Sequence, residues 1–174
     1  MPFPALLLPL IFWTGIAAMS SWAVSRALPL RADNSIEIDA PVDDVWNFIL
    51  QTERLPEWNE HIVRAQAAGE LSEGMRLKMK TRHPETERLT MNIRPTLDVV
   101  RVNRELTWST KIIARWLLSV TDTIKLRPLE DGRTEVEQSM SFSGLLSPGV
   151  PFLASISRIK ESSNRQLKAL IEQN

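Results

Sequence analysis

The chain of 174 residues suffices for one domain with a sizeable core plus an extra segment, and its 21 lysines and arginines balance its 21 aspartates and glutamates,. That neutrality withholds the basic excess that a phosphate backbone demands, so nucleic acid is not expected as a partner. With no cysteine there can be no disulfide, thiolate nucleophile or cysteine-ligated zinc; with no tyrosine and only His61 and His83 as imidazoles, acid–base chemistry is thinly supplied too,.

The first thirty residues are a different material from the rest. No charged side chain interrupts "FPALLLPLIFWTGIAAMSSWAV", Phe3 to Val24. As a helix this run would reach about 33 Å, enough for a hydrocarbon core of about 30 Å. Trp22 lies near one end, where an interfacial indole would rest, and Pro29 ends the helix,. The run reads as an uncleaved single-span anchor that meets the membrane through residues 3–28. A cleaved signal peptide, which would leave the domain secreted or periplasmic, and a buried apolar helix are the alternatives. Arg26 and Arg31 follow the span, so the positive-inside bias places the domain on the cytosolic side,. Residues 1–30 are thus expected as anchor or signal, and 31–174 as one domain.

"SIEIDA" (Ser35–Ala40) alternates and predicts a strand,. In "PVDDVWNFILQTERLPEWN", Val42, Val45, Trp46 and Ile49 share one helix face,. Asp43 and Asp44 favour its first turn, and Leu55, Trp58 and Ile62 mark a second short helix,. Alternation then predicts strands in "HIVRAQAAGEL", "MRLKMKTRH", "ERLTMNIRP" running on through "TLDVVRV" with a bend at Pro95, "ELTWST", "SVTDTIKLRPL" and, after the hairpin turn "EDGRT", "TEVEQSMSF",. A long helix over about 151–172 closes the chain. Its apolar stripe is Phe152, Ile156, Ile159, Leu167, Leu170 and Ile171, interrupted by Ser163; charged pairs such as Lys160 and Glu161 read as a solvated face. A sheet apolar on one face must bury that face, and the terminal helix is the obvious cover.

This order, with "APVDDVWNFILQTERLPEWN", "ELTWS" and "LRPLEDGRTEVEQSMSFSG" before a C-terminal amphipathic helix, resembles the START / polyketide-cyclase (SRPBCC, helix-grip) superfamily over roughly residues 34–172. The resemblance implies an α+β helix-grip fold. A curved seven-stranded antiparallel sheet would wrap the long C-terminal helix, with two short helices after the first strand and the N-terminal hydrophobic helix added. It implies a cavity rather than a shared catalytic motif.

In that fold Trp46 would pack beneath the short helices and Trp58 would be a cavity-side aromatic. The inward strand phase would supply Leu77, Met79, Leu89, Met91, Trp108, Ile124, Val136, Met140 and Phe142, faced by Phe152, Ile156 and Ile159 from the last helix. A methionine-rich apolar wall suits an adaptable fit to a hydrophobic ligand; a filled core is the alternative. Asp122 and Gln138 also fall in the inward phase, where a polar group must find a partner. They read either as an orienting or proton-moving pair or as a mutual structural hydrogen bond. His83 would sit at the rim as a weak candidate base, and His61 on the surface or at a helix end. Two histidines without ligand spacing give no metal site, no "GxSxG" supports a serine nucleophile, and no cofactor is expected. "KIIARWLLSV" (Lys111–Val120) and "GLLSPGVPFL" (Gly144–Leu153) would lie near the openings, with Ile113, Trp116, Leu117 and Phe152 as an apolar patch,.

The expected function is membrane-anchored binding or transport of a hydrophobic small molecule or lipid, without catalysis, by a monomer. A polyketide cyclase/dehydratase-type enzyme using Asp122, Gln138 or His83 is the rival.

Overall fold

A computed structural model describes residues 4–27, 30–86, 88–112, 114, 116–149 and 153–173. Helix α1 (Pro4–Ala27) precedes strand β1 (Leu30–Ile38), helix α2 (Val42–Ile49), a 3-10 turn (Thr52–Arg54) and the short helix α3 (Leu55–Trp58). Seven strands follow: β2 (Ile62–Gln66), β3 (Lys78–Arg82), β4 (Thr90–Ile93), β5 (Thr96–Arg101), β6 (Glu105–Lys111), β7 (Ser119–Pro128) and β8 (Thr134–Ser143). A 3-10 turn (Ser147–Gly149) leads to helix α4 (Leu153–Glu172).

All pairings are antiparallel, in a five-stranded sheet ordered β1-β8-β7-β6-β5 and a three-stranded sheet ordered β2-β3-β4. The expected fold is therefore present, with eight strands rather than seven among the described residues. Pro95 makes the difference. It has no N–H to continue a ladder, so the predicted long strand breaks into β4 and β5, which join different sheets,. The two sheets still meet there. Leu77 N donates to Pro95 O at 2.9 Å, Gly74 N to Leu97 O at 2.7 Å, and Leu97 N to Met75 O at 2.9 Å.

The amphipathic face read for α2 is buried at Val45, Trp46 and Ile49, joined by Phe48. Trp58, fully buried, joins them in the main core with Leu77, Leu97, Leu106, Ile124, Leu126, Val136 and Leu167. A burial of 150–250 Å² per tryptophan makes this corner a strong folding contribution. A smaller apolar cluster of Ala32, Met140, Phe142 and Ile156 lies apart.

Helix α4 covers the sheet with an unexpected face. Its buried positions are Ile156, Lys160, Ser163, Asn164 and Leu167. Their spacing follows the helical period, yet polar side chains hold the middle of the stripe. Lys160 is therefore not part of a solvated face, since only 2% of it is exposed. Helix α1 stands out from this body: over Leu7–Val24 it is long and apolar enough to cross a membrane, with none of that stretch buried against the rest of the protein.

Candidate functional site

The register of the last strands brings the site together. Asp122 on β7 is paired with Trp108 on β6 and with Met140 on β8, while Val120 is paired with Thr110 and Phe142. A period of two puts these residues on one face of the sheet. Ile156, Ile159 and Lys160 of α4 oppose them, and Met79, Thr81, Met91 and Ile93 of the second sheet close the side. Between them lies a hollow of about 130 Å³, rimmed further by Asn59, His61, Ile62, Arg82, His83, Pro84, Ile112 and Leu118. Apolar protein cavities of about 150 Å³ take up benzene, whereas drug-sized ligands occupy pockets of roughly 300–1,000 Å³. The space is close in size to a small ring or part of a chain; a longer guest would extend through the mouth,.

The positions read from sequence divide sharply. Met79, Met91, Trp108, Met140, Phe142, Ile156, Ile159, Asp122 and His83 line the hollow. Trp58, Leu77, Ile124 and Val136 belong instead to the packed core, because the interior is filled at the end of the sheet where they sit. Leu89 precedes β4 and is 58% exposed. Phe152, like Ile113 of the apolar patch, lies outside the described residues.

Asp122 and Gln138 do not bond to each other. Each reaches α4. Lys160 Nζ donates to Asp122 Oδ1 at 2.7 Å and to Oδ2 at 2.8 Å, a buried ion pair at the inner wall of the hollow. Gln138 Nε2 donates to Asn164 Oδ1 at 2.8 Å, and Asn164 Nδ2 donates to Asn34 Oδ1 at 2.7 Å. Gln138 is fully buried and does not line the hollow. Burial pushes the Asp122 carboxyl above the ordinary aspartate range, and the Lys160 ammonium opposes that rise without cancelling it,.

His61, just beyond the end of α3, is half-buried and lines the hollow. Burial, then the nearby Lys160 charge, lowers its imidazole from 6.5 to about 4, so it is neutral at physiological pH,. Sequence reading missed His61 and Lys160 alike. The retrievable signal was an aspartate in the inward strand phase together with a lysine four residues beyond Ile156, on the same helix stripe. Among the described residues no cluster of histidine, aspartate and glutamate could hold a metal ion.

Beside Ile112 and Leu118, which line the hollow, two loops are laced together. Leu145 N donates to Trp116 O at 3.0 Å and Leu146 N to Leu117 O at 2.9 Å. Gly144 permits this approach: at its φ of +111° a Cβ would lie 2.7 Å from Leu117 O,. Trp116 is 68% exposed and Leu146 47%. Met91 and Ile112, which line the hollow, are also exposed. Ser21 of α1 donates its hydroxyl to Leu145 O at 2.6 Å, so the apolar helix reaches this pair of loops.

A sheet gripping a C-terminal helix beside a partly apolar hollow defines a helix-grip domain. Residues 29–172 match the family of polyketide cyclases/dehydrases and lipid-transport proteins, and the chain belongs to it. Solved structures agree on the fold. A START superfamily protein from Mycobacterium smegmatis superposes with a TM-score of 0.64 at 14% identity, covering 82% of this chain and 97% of its own. Protein NE0264 from Nitrosomonas europaea gives 0.62 at 21% identity, covering 83% and 95%, and CV1439 from Chromobacterium violaceum gives 0.62 at 16%, covering 82% and 97%. No curated protein matches the sequence. Family and fold support hydrophobic-ligand binding or a polyketide-cyclase-like activity.

Proposed function

We propose that this protein is a membrane-tethered binder or carrier of a hydrophobic small molecule or lipid. The ligand would enter the hollow from the bilayer through the mouth beside α1. In this reading residues 1–30 are an uncleaved anchor, residues 31–174 form the ligand-binding domain on the cytosolic side, and the protein acts as a monomer. The carrying observation is the hydroxyl of Ser21, within the apolar stretch of α1, bonded to Leu145 in a loop that is laced to the segment leading into Leu118 of the hollow and that, with it, exposes Trp116 and Leu146. If α1 spans a bilayer, that bond holds the mouth level with the end of the span. An exposed apolar rim next to a membrane anchor is the kind of surface that enters an interface.

Extraction of the full-length protein from native membranes in mild detergent, followed by mass spectrometry of the released ligand, tests the proposal. A stoichiometric apolar molecule is expected, with less of it on a Trp116→Ser/Leu146→Ser variant. An empty protein that also takes up no small aromatic would overturn the reading. A cyclase-type enzyme is the second reading, favoured by the Asp122–Lys160 pair and neutral His61 against the hollow. It requires a turnover that disappears in Asp122→Asn while ligand binding persists.

A further inference from the structure

We propose that the hollow selects apolar molecules bearing one neutral carbonyl oxygen, which accepts a hydrogen bond from Lys160 Nζ. This rests on the ligand-binding reading above and narrows it. An ammonium carries three N–H groups. Lys160 directs its bonds at the two carboxylate oxygens of Asp122, and among the described residues it has no other hydrogen-bond partner. At least one N–H is left, on a residue that lines the hollow.

Charge then decides between guests. Against the inner wall Lys160 and Asp122 cancel and His61 adds no charge while neutral, whereas the guanidinium of Arg82 belongs to an exposed residue at the rim. A carboxylate guest would therefore be a buried anion without a counter-charge of its own. An amine would bring donors to a donor. A hydrocarbon would satisfy the apolar walls but leave the spare N–H unpaired in a drying cavity. A ketone or ester oxygen satisfies it without adding charge, and the imidazole of His61, which also lines the hollow, can supply a second donor,.

The hollow is small enough for single-ring probes. Acetophenone, isopropylbenzene and benzoate share a ring and nearly the same shape. Each is titrated into the full-length protein in phosphatidylcholine nanodiscs, with methyl carbon NMR of Met79 and Met140 as the readout and free aqueous concentration as the reference. We expect acetophenone to bind about tenfold more tightly than isopropylbenzene, and benzoate not to bind. In Asp122→Leu/Lys160→Met the preference disappears while isopropylbenzene still binds. Isopropylbenzene binding as tightly as acetophenone in the wild type, benzoate binding best, or a preference retained by the double variant would each overturn the inference while leaving the hollow a ligand site. No shift with any probe in the wild type would overturn it, and, together with a protein that comes out of its membrane empty, the proposed function as well. Should the double variant fail to fold, the wild-type ranking decides alone.

Discussion

Replacing Lys160 by methionine keeps the bulk of the side chain and removes one charge. Asp122 then faces an apolar wall without a partner, both of its hydrogen bonds to Nζ having gone. Breaking a buried pair in this way costs about 3–5 kcal/mol. The carboxyl has an escape, however: it can take up a proton. Holding it protonated at pH 7 costs 1.36 kcal/mol for each pH unit above its ordinary 3.8, about 4 kcal/mol in all,. The smaller of the two penalties governs, so the variant should be destabilised by about 3–4 kcal/mol at pH 7. At pH 5 the protonation penalty falls below about 2 kcal/mol, and the loss should fall with it. The sign is set by the protons: the variant's folded state would keep one that the unfolded chain releases above 3.8, so its stability declines as pH rises,. Urea unfolding of both proteins in mild detergent, followed by tryptophan fluorescence at pH 5, 6 and 7, measures the gap. A gap that does not change with pH, or one below about 1 kcal/mol at pH 7, would refute the view that Lys160 neutralises a desolvated carboxylate. Asp122→Leu/Lys160→Met should restore wild-type stability to within about 1 kcal/mol, since replacing both members of a buried pair by apolar groups is often neutral.

Three further outcomes follow from the same geometry. Asn164→Ala removes the acceptor of Gln138 and the donor to Asn34, and should lower stability by about 2–3 kcal/mol in urea unfolding,. Gly144→Ala places a methyl 2.7 Å from Leu117 O at a positive φ, and should destabilise by about 2 kcal/mol, with faster amide exchange at Leu145 and Leu146,. His61, lowered from 6.5 to about 4, binds a proton in the unfolded chain before the folded one does. Stability from this group therefore rises with pH across that window, and from pH 7 to 4.5 the wild type should lose about 2–3 kcal/mol more than His61→Asn.

Much of the architecture was legible because strand and helix periods are strong signals. Alternation in "SVTDTIKLRPL" and "TEVEQSMSF" placed Asp122, Met140 and Phe142 inward, and their register across β6, β7 and β8 agrees. Phase alone does not say how far along a strand the interior is filled, so Ile124 and Val136 were read with the cavity although they pack in the core. Pro95 was read as a bend and is a break, because whether one missing N–H ends a ladder depends on the strand beside it. Lys160 was hidden for an electrostatic reason. A lysine next to a glutamate on an amphipathic helix usually points to water, and only a buried carboxylate on another element reverses that expectation. His61 was hidden by its place just after α3, where a helix end and a cavity wall look alike in sequence.

The placement of the polar groups gives a physical reason for the coexistence of a packed core and a hollow under one helix. Toward Ile124, Val136 and Leu167 the interior is close-packed; toward Val120, Phe142 and Ile159 it is open. Asp122 and Lys160 stand at the boundary, and the Gln138–Asn164–Asn34 chain lies on the packed side. An apolar helix resting on an apolar sheet can slide to close any space beneath it, since the hydrophobic effect is non-directional. Two directional contacts four residues apart on α4 oppose that slide, because a shift of one turn would strand a carboxylate, an ammonium and an amide without partners. Closing the hollow by sliding the helix would therefore cost those contacts.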